Sequence, residues 1–148
     1  YDQVWQAGAH MATWLETNKD LEIDGKVLKA GKYGFFVIPN EEEWTVIFNR
    51  NWNQHGKDDY TENDDVLRFK VTPKISEKIK EHLEYKVNKT TETSGKISMG
   101  WEKVTIGFPF EMNLTIGLMK HGFIMQKRGK GKMEFLKKRH NKLQVGIC

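Results

Sequence analysis

The stretch Ala30-Gly-Lys-Tyr-Gly-Phe-Phe-Val-Ile-Pro-Asn-Glu-Glu-Glu-Trp-Thr-Val-Ile-Phe-Asn-Arg-Asn-Trp-Asn-Gln54 decides the fold. In its first half Tyr33, Phe35 and Val37 fall on one face of an extended chain, and Phe36 and Ile38 fall on the other. A strand that is apolar on both faces is expected to lie between two layers. Pro39 cannot donate to a ladder, so it ends the run, and Asn40-Glu41-Glu42 supply a polar turn. The two-residue period then resumes, with Trp44, Val46 and Phe48 alternating with Thr45 and Ile47. These runs read as a central hairpin, followed over residues 49–60 by a polar apron of Asn, Asp and Gln around Trp52.

Working outward, residues 12–16 have the character of a short strand. Leu21-Glu-Ile-Asp-Gly-Lys-Val27 is a tight hairpin, because Asp24-Gly25 suits a type I′ turn whose two central residues need positive φ. Downstream, Leu67, Phe69 and Val71 alternate with Arg68 and Lys70, which predicts a strand buried on one side only. Ile75, Ile79 and Leu83 stand at helical spacing, whereas Leu83, Tyr85 and Val87 alternate, so a short helical turn running into a strand is expected there. Residues 89–96, rich in Thr, Ser and Gly, predict a hairpin loop. Beyond it Ile97, Met99 and Trp101, then Val104, Ile106, Phe108 and Phe110, keep period two on either side of Glu102-Lys103. About eight strands separated by turn signals make an all-β domain over residues 1–112, an antiparallel β-sandwich or jelly roll, and not an α/β fold.

Composition agrees with this class. A chain of 148 residues, 38% apolar, can bury one core, and its 5 Trp, 8 Phe and 4 Tyr supply large fillers for it. The one cysteine, Cys148, leaves no pairing within the chain. No apolar run approaches the roughly 18 residues of a transmembrane helix, and no signal peptide is visible. The net charge of +4 is unevenly spread: residues 1–113 hold 15 Lys and Arg against 19 Asp and Glu, whereas residues 114–148 hold 9 against 1. The body therefore lacks the basic stripe of a nucleic-acid binder, and no specific nucleic-acid partner is expected. Residues 113–148 read as a basic extension outside the sandwich, disordered or foreign to the domain, able at most to adhere to an acidic surface or, by sequence-independent phosphate contacts, to nucleic acid.

At this point the residues carry a resemblance. Val4-Trp5-x-x-Gly8-Ala9, Gly25-Lys-x-Leu-x-Ala-Gly-Lys-Tyr-Gly34, Phe36-x-Ile-Pro39, Glu43-Trp-Thr-Val-Ile-Phe-Asn49, Asn51-Trp-Asn-Gln54, Asp65-Val-Leu-Arg68, Trp101-Glu-Lys103 and Phe108-Pro109 follow one another in the order of an exported bacterial family known as domain of unknown function 2911. The chain resembles that family over about residues 1–110, and the extension does not. The resemblance implies a periplasmic or extracellular setting, and a leader and further strands ahead of the Trp5 block that this chain lacks. Where members carry Asn-Glu after the Gly-Ala pair, this chain has His10-Met11. The family implies a fold and a compartment but no reaction.

The candidate site is the apron. Asn49, Asn51, Asn53, Gln54, His55 and Asp58 surround Trp52, and loops on a rigid scaffold are where binding groups sit. Amides and carboxylates beside an aromatic ring suit a sugar, whose hydroxyls need donors and acceptors while its C–H face stacks. In a purely architectural reading the same amides bond their own loop and Trp52 caps the core. His10, His55 and Asp58 or Asp59 could ligate a metal if the first loop meets the apron, although no ligand spacing supports this. Glu41-Glu42-Glu43 reads as a solvated run at a turn, and His82, His121 and His140 stand outside any motif. The expected function is thus binding of a polar ligand, a carbohydrate or a protein partner, with no cofactor and no catalytic residue assigned. A metal- or carboxylate-dependent hydrolase is the alternative.

Overall fold

The structure, a computed structural model, describes residues 2–5, 7, 12–54, 59–112 and 143–146. They form nine strands: β1 (Thr13–Thr17), β2 (Leu21–Ile23), β3 (Lys26–Leu28), β4 (Gly31–Ile38), β5 (Trp44–Asn49), β6 (Asp65–Val71), β7 (Lys74–Lys89), β8 (Ser94–Met112) and β9 (Leu143–Gly146), with one short 3-10 turn at Glu62–Asp64. One sheet has the order β6-β5-β4-β1-β9, the other β3-β2-β8-β7, and every pairing is antiparallel. The chain is an all-β sandwich, as the alternation predicts. None of the described helical residues forms a helix long and apolar enough to cross a membrane.

The central hairpin is β4 and β5, in register from Gly34 opposite Asn49 to Ile38 opposite Thr45. Its inner face joins Phe35, Val37, Trp44, Val46 and Phe48 to Leu67 and Phe69 of β6 and to Ile106, Phe108 and Phe110 of β8. The rings interlock at packing distance, Phe69 to Phe108 at 5.0 Å and Phe35 to Phe48 at 5.5 Å, both edge-on. Each such side chain contributes about 1.5–3 kcal/mol by leaving water. Its outer face buries Phe36 and Ile47 under Ala12, Val4 and Tyr60. The two-layer expectation holds, with the second sheet on one side and loops on the other. Tyr33 is only half-buried, because its hydroxyl reaches out to donate to the Lys29 carbonyl.

The Asp24-Gly25 turn has φ of 53° and 71°, both positive as type I′ geometry requires. At the opposite edge of β4, beyond the end of β1, the Trp5 backbone exchanges two hydrogen bonds with Val37. The same N-terminal segment ties the sheets together: the Ala7 carbonyl accepts from Thr13 of β1 at 2.8 Å and from Tyr85 of β7 at 2.7 Å. Burial holds the Tyr85 phenol well above its ordinary pKa.

Two expectations are corrected or extended. Residues 74–89 are strand throughout, not a helical turn, because the helical spacing of Ile75 and Ile79 reflects no buried face: both are exposed. Five residues of β7 there advance against two of β8, between the pairs Ile75–Val104 and Lys80–Glu102, and Glu102 takes a positive φ of 53°. This irregularity shifts the inward phase of β8 from Ile97 and Met99 to Ile106 and Phe108. Within the extension, Leu143–Gly146 pairs with β1 as β9. Leu143 lies opposite Thr17 and Met112 opposite Leu21, so the described ends flanking residues 113–142 occupy one corner of the sandwich.

Candidate functional site

The apron lies on the outer face of the five-stranded sheet, and the register shows what it covers. Trp14, Gly34, Asn49 and Asp65 form one row across β1, β4, β5 and β6, and Phe36, Ile47 and Arg68 form the next. Gly34 permits the close approach: a Cβ there would lie 3.1 Å from the Asn51 carbonyl oxygen and 3.0 Å from the Phe36 ring. A bulge between Phe48 and Asn49 sets Asn49 opposite Asp65 as the strands part.

Asn49 is fully buried and holds the loop from below. Its Nδ2 donates to the Thr61 carbonyl at 3.0 Å and to Asp65 Oδ1 at 2.8 Å, while its Oδ1 accepts from the Asn51 backbone at 3.0 Å and from Gln54 Nε2 at 3.2 Å. Gln54, buried to 1% exposure, also donates through Nε2 to the Asn51 carbonyl, and its backbone carbonyl accepts from the Ala12 backbone N–H. The second oxygen of Asp65 takes the Tyr60 hydroxyl and Arg68 Nε, each at 2.6 Å, and Arg68 Nη2 donates to Tyr60 at 2.9 Å. Burial first, and then the bond to Asp65, push the Tyr60 phenol up to about 12. With both oxygens engaged, Asp65 is an anchor for the loop and not a free carboxylate.

Trp52 sits differently. The residue is 38% exposed, so it does not cap the core. Lys32 Nζ lies 3.7 Å from the Trp52 centroid and 4.1 Å from that of Trp14, a cation held by two rings. Asn53, next in the chain, is exposed. The apron therefore divides into a buried polar floor, Asn49 and Gln54, and an aromatic surface, Trp14 and Trp52 braced by Lys32. Asn51 joins the two, with its backbone bonded to the floor.

Of the residues expected from sequence, Asn49, Asn51, Trp52, Asn53 and Gln54 belong to this one loop, while His10, His55 and Asp58 lie outside the described residues. Among the described residues, no group of three or more His, Cys, Asp or Glu is placed to hold a metal. Glu41, Glu42 and Glu43 are exposed at the β4–β5 turn. Sequence reasoning missed Trp14, Lys32, Tyr60, Asp65 and Arg68. The outward parity of Trp14 in β1 and of Lys32 in β4 was the available signal, but it acquires meaning only once the register brings those strands together.

Fold and site together define a small antiparallel β-sandwich that carries a polar loop on the outer face of one sheet. The chain matches, over residues 1–110, the family described as Protein of unknown function (DUF2911), and it belongs to that family. No curated protein and no solved structure matches it.

Proposed function

We propose that this domain is a binding module, and that it takes a polar ligand on the apron surface formed by Trp52, Trp14, Asn51 and Asn53. The exposure of Trp52 carries the reading. A large aromatic residue left 38% exposed beside an exposed amide, on a loop whose own base is bonded down, offers area and hydrogen-bonding groups at little entropic cost. Lys32 holds the ring in place, which reduces what ordering on binding would cost. Carbohydrate suits this chemistry, because a sugar presents a C–H face to a ring and hydroxyls to amides. The export implied by the family resemblance fits a ligand met in the envelope or outside the cell.

The test is a ligand array of glycans, polyols and peptides probed with the wild-type protein and with Asn51→Ala and His55→Ala. The reading expects at least one specific ligand in the wild type that is lost from a folded variant. Folded variants with an unchanged profile would remove the apron as the binding surface.

A further inference from the structure

Where β6, the edge strand of the five-stranded sheet, passes the β2–β3 hairpin of the other sheet, the surface carries a groove of about 410 Å³. Asp24 and Lys26 line it from the hairpin, and Thr45, Arg68 and Lys70 line it from the sheet. Two ammonium groups are held here by neutral oxygens. Lys26 Nζ donates to the Arg68 carbonyl at 2.7 Å, which bridges the two sheets, and Lys70 Nζ donates to Thr45 Oγ1 at 2.8 Å. An ammonium has three hydrogens, and each of these bonds takes one. Among the described residues, neither Lys26 nor Lys70 has a carboxylate within ion-pair distance. Arg68 differs, because its guanidinium is paired with Asp65 at 2.6 Å and with Glu62 at 3.5 Å. The two lysines are thus positioned without being neutralised. The positive charge is local: a second groove of about 300 Å³, which shares Asp24 with the first, is lined by Glu22 and Glu111.

We propose that the groove between β6 and the β2–β3 hairpin is an anion site, and that it takes a small organic polyanion whose oxyanion groups engage Lys26 and Lys70. The site shares no lining residue with the apron surface and does not rest on that reading. Only an acceptor can use the spare ammonium hydrogens, and oxyanions do so through charge-assisted bonds, the stronger kind. A monovalent group meets one ammonium at the scale of an exposed ion pair, whereas a ligand with two or more such groups can meet both. The volume fits a small molecule. A long polyanion such as a nucleic acid would run on into the acidic groove and along a body that holds 15 Lys and Arg against 19 Asp and Glu over residues 1–113. Asp24, exposed at the turn, opposes any anion in the groove and keeps its affinity modest.

The experiment follows the backbone N–H signals of Lys26, Arg68 and Lys70 by 1H–15N NMR in the full chain, with the Trp52 indole N–H as a reporter of the apron. The probes are pyrophosphate, citrate and acetate, titrated at an ionic strength held constant with sodium chloride. Pyrophosphate or citrate is expected to shift the groove signals saturably and to bind more tightly than acetate, with Trp52 unmoved. Lys26→Gln and Lys70→Gln should each weaken that polyanion about two- to fivefold, the range of an exposed ion pair. Asp24→Asn, which keeps a residue tolerant of the positive φ at this turn, should strengthen it by about the same factor. If a lysine variant fails to fold, wild type and Asp24→Asn decide between them. No saturable shift with either polyanion, equal affinity for acetate, or affinities that the substitutions leave unchanged would overturn the site. A shift of Trp52 without the groove signals would move anion binding to the apron surface and overturn the groove.

Discussion

Asn49 faces Asp65 across the bulge at the end of β5, and its amide nitrogen donates to the carboxylate at 2.8 Å. This contact is the base of the apron. Asn49→Ala strips the partner from Asp65 Oδ1, the Thr61 carbonyl, the Asn51 backbone N–H and one hydrogen of Gln54 together. At about 1–3 kcal/mol for each stranded buried group, less whatever water recovers, a loss of about 3 kcal/mol is expected in urea unfolding. Asn53→Ala, at an exposed position of the same loop, should stay within about 0.5 kcal/mol of wild type. Equal effects of the two substitutions would contradict the division into floor and surface.

Phe36 is fully buried on the outer face of β4, against Ile47 and with the Tyr60 ring 5.0 Å away. Phe36→Ala should cost about 3–5 kcal/mol, the usual range for emptying an aromatic core site. A loss below about 1 kcal/mol, read from chemical denaturation, would mean that this second apolar layer closes over the gap or contributes little.

Stability should fall in alkali. Burial and the bond to Asp65 raise the Tyr60 phenol from 10.0 to about 12, and Tyr33 and Tyr85 are raised chiefly by burial. A group that keeps its proton more tightly in the folded state stabilises fully below its unfolded pKa and loses that contribution as pH rises through the folded value. Urea midpoints should therefore hold up to about pH 10 and decline between about pH 10 and 12. Tyr60→Phe should flatten part of that decline, and the same slope in wild type and variant would contradict the role given to Tyr60.

Residues 113–148 contribute β9, and among the described residues the buried side chains of the main core cluster lie within residues 7–112. Deleting 113–148 should leave the sandwich folded, because β1 keeps its ladder to β4 from Thr13 opposite Phe35 to Thr17 opposite Gly31. The expected cost is about 1–2 kcal/mol for losing one short edge strand, read from thermal unfolding. Disappearance of the cooperative transition would show that the extension belongs to the folding unit.

Much of the sandwich is legible in the sequence because burial enforces period two wherever a strand has a core face, as in β5, β6 and the second half of β8. The Asp24-Gly25 turn is legible for a local reason, the positive φ at both residues. The first half of strand β7 is not: Ile75 and Ile79 are exposed beside register shifts, so burial imposes no period on them and their helical spacing is accidental, whereas Leu83, Tyr85 and Val87 mark the second half as strand. The apron announces itself by its residue types, but those types do not say which amides are spent. That depends on Asp65 and Thr61, which the strand register and the return of the loop bring to Asn49. Likewise the Trp14 and Lys32 that brace Trp52 come from two other strands, and only the β1–β4 register places them side by side.

The central claim is that Trp52 belongs to a ligand surface and not to the core. The most direct measurement is thermal unfolding and array binding of Trp52→Ala on the same preparation. Removing a partly exposed side chain and its contact with Lys32 should cost about 1 kcal/mol, the scale of an exposed cation–π pair, and so lower Tm by only about 2–4 °C, while the specific ligand of the wild type is lost. A severely destabilised variant would place Trp52 in the structural core, and a stable variant that binds as wild type does would take the ligand surface away from the apron.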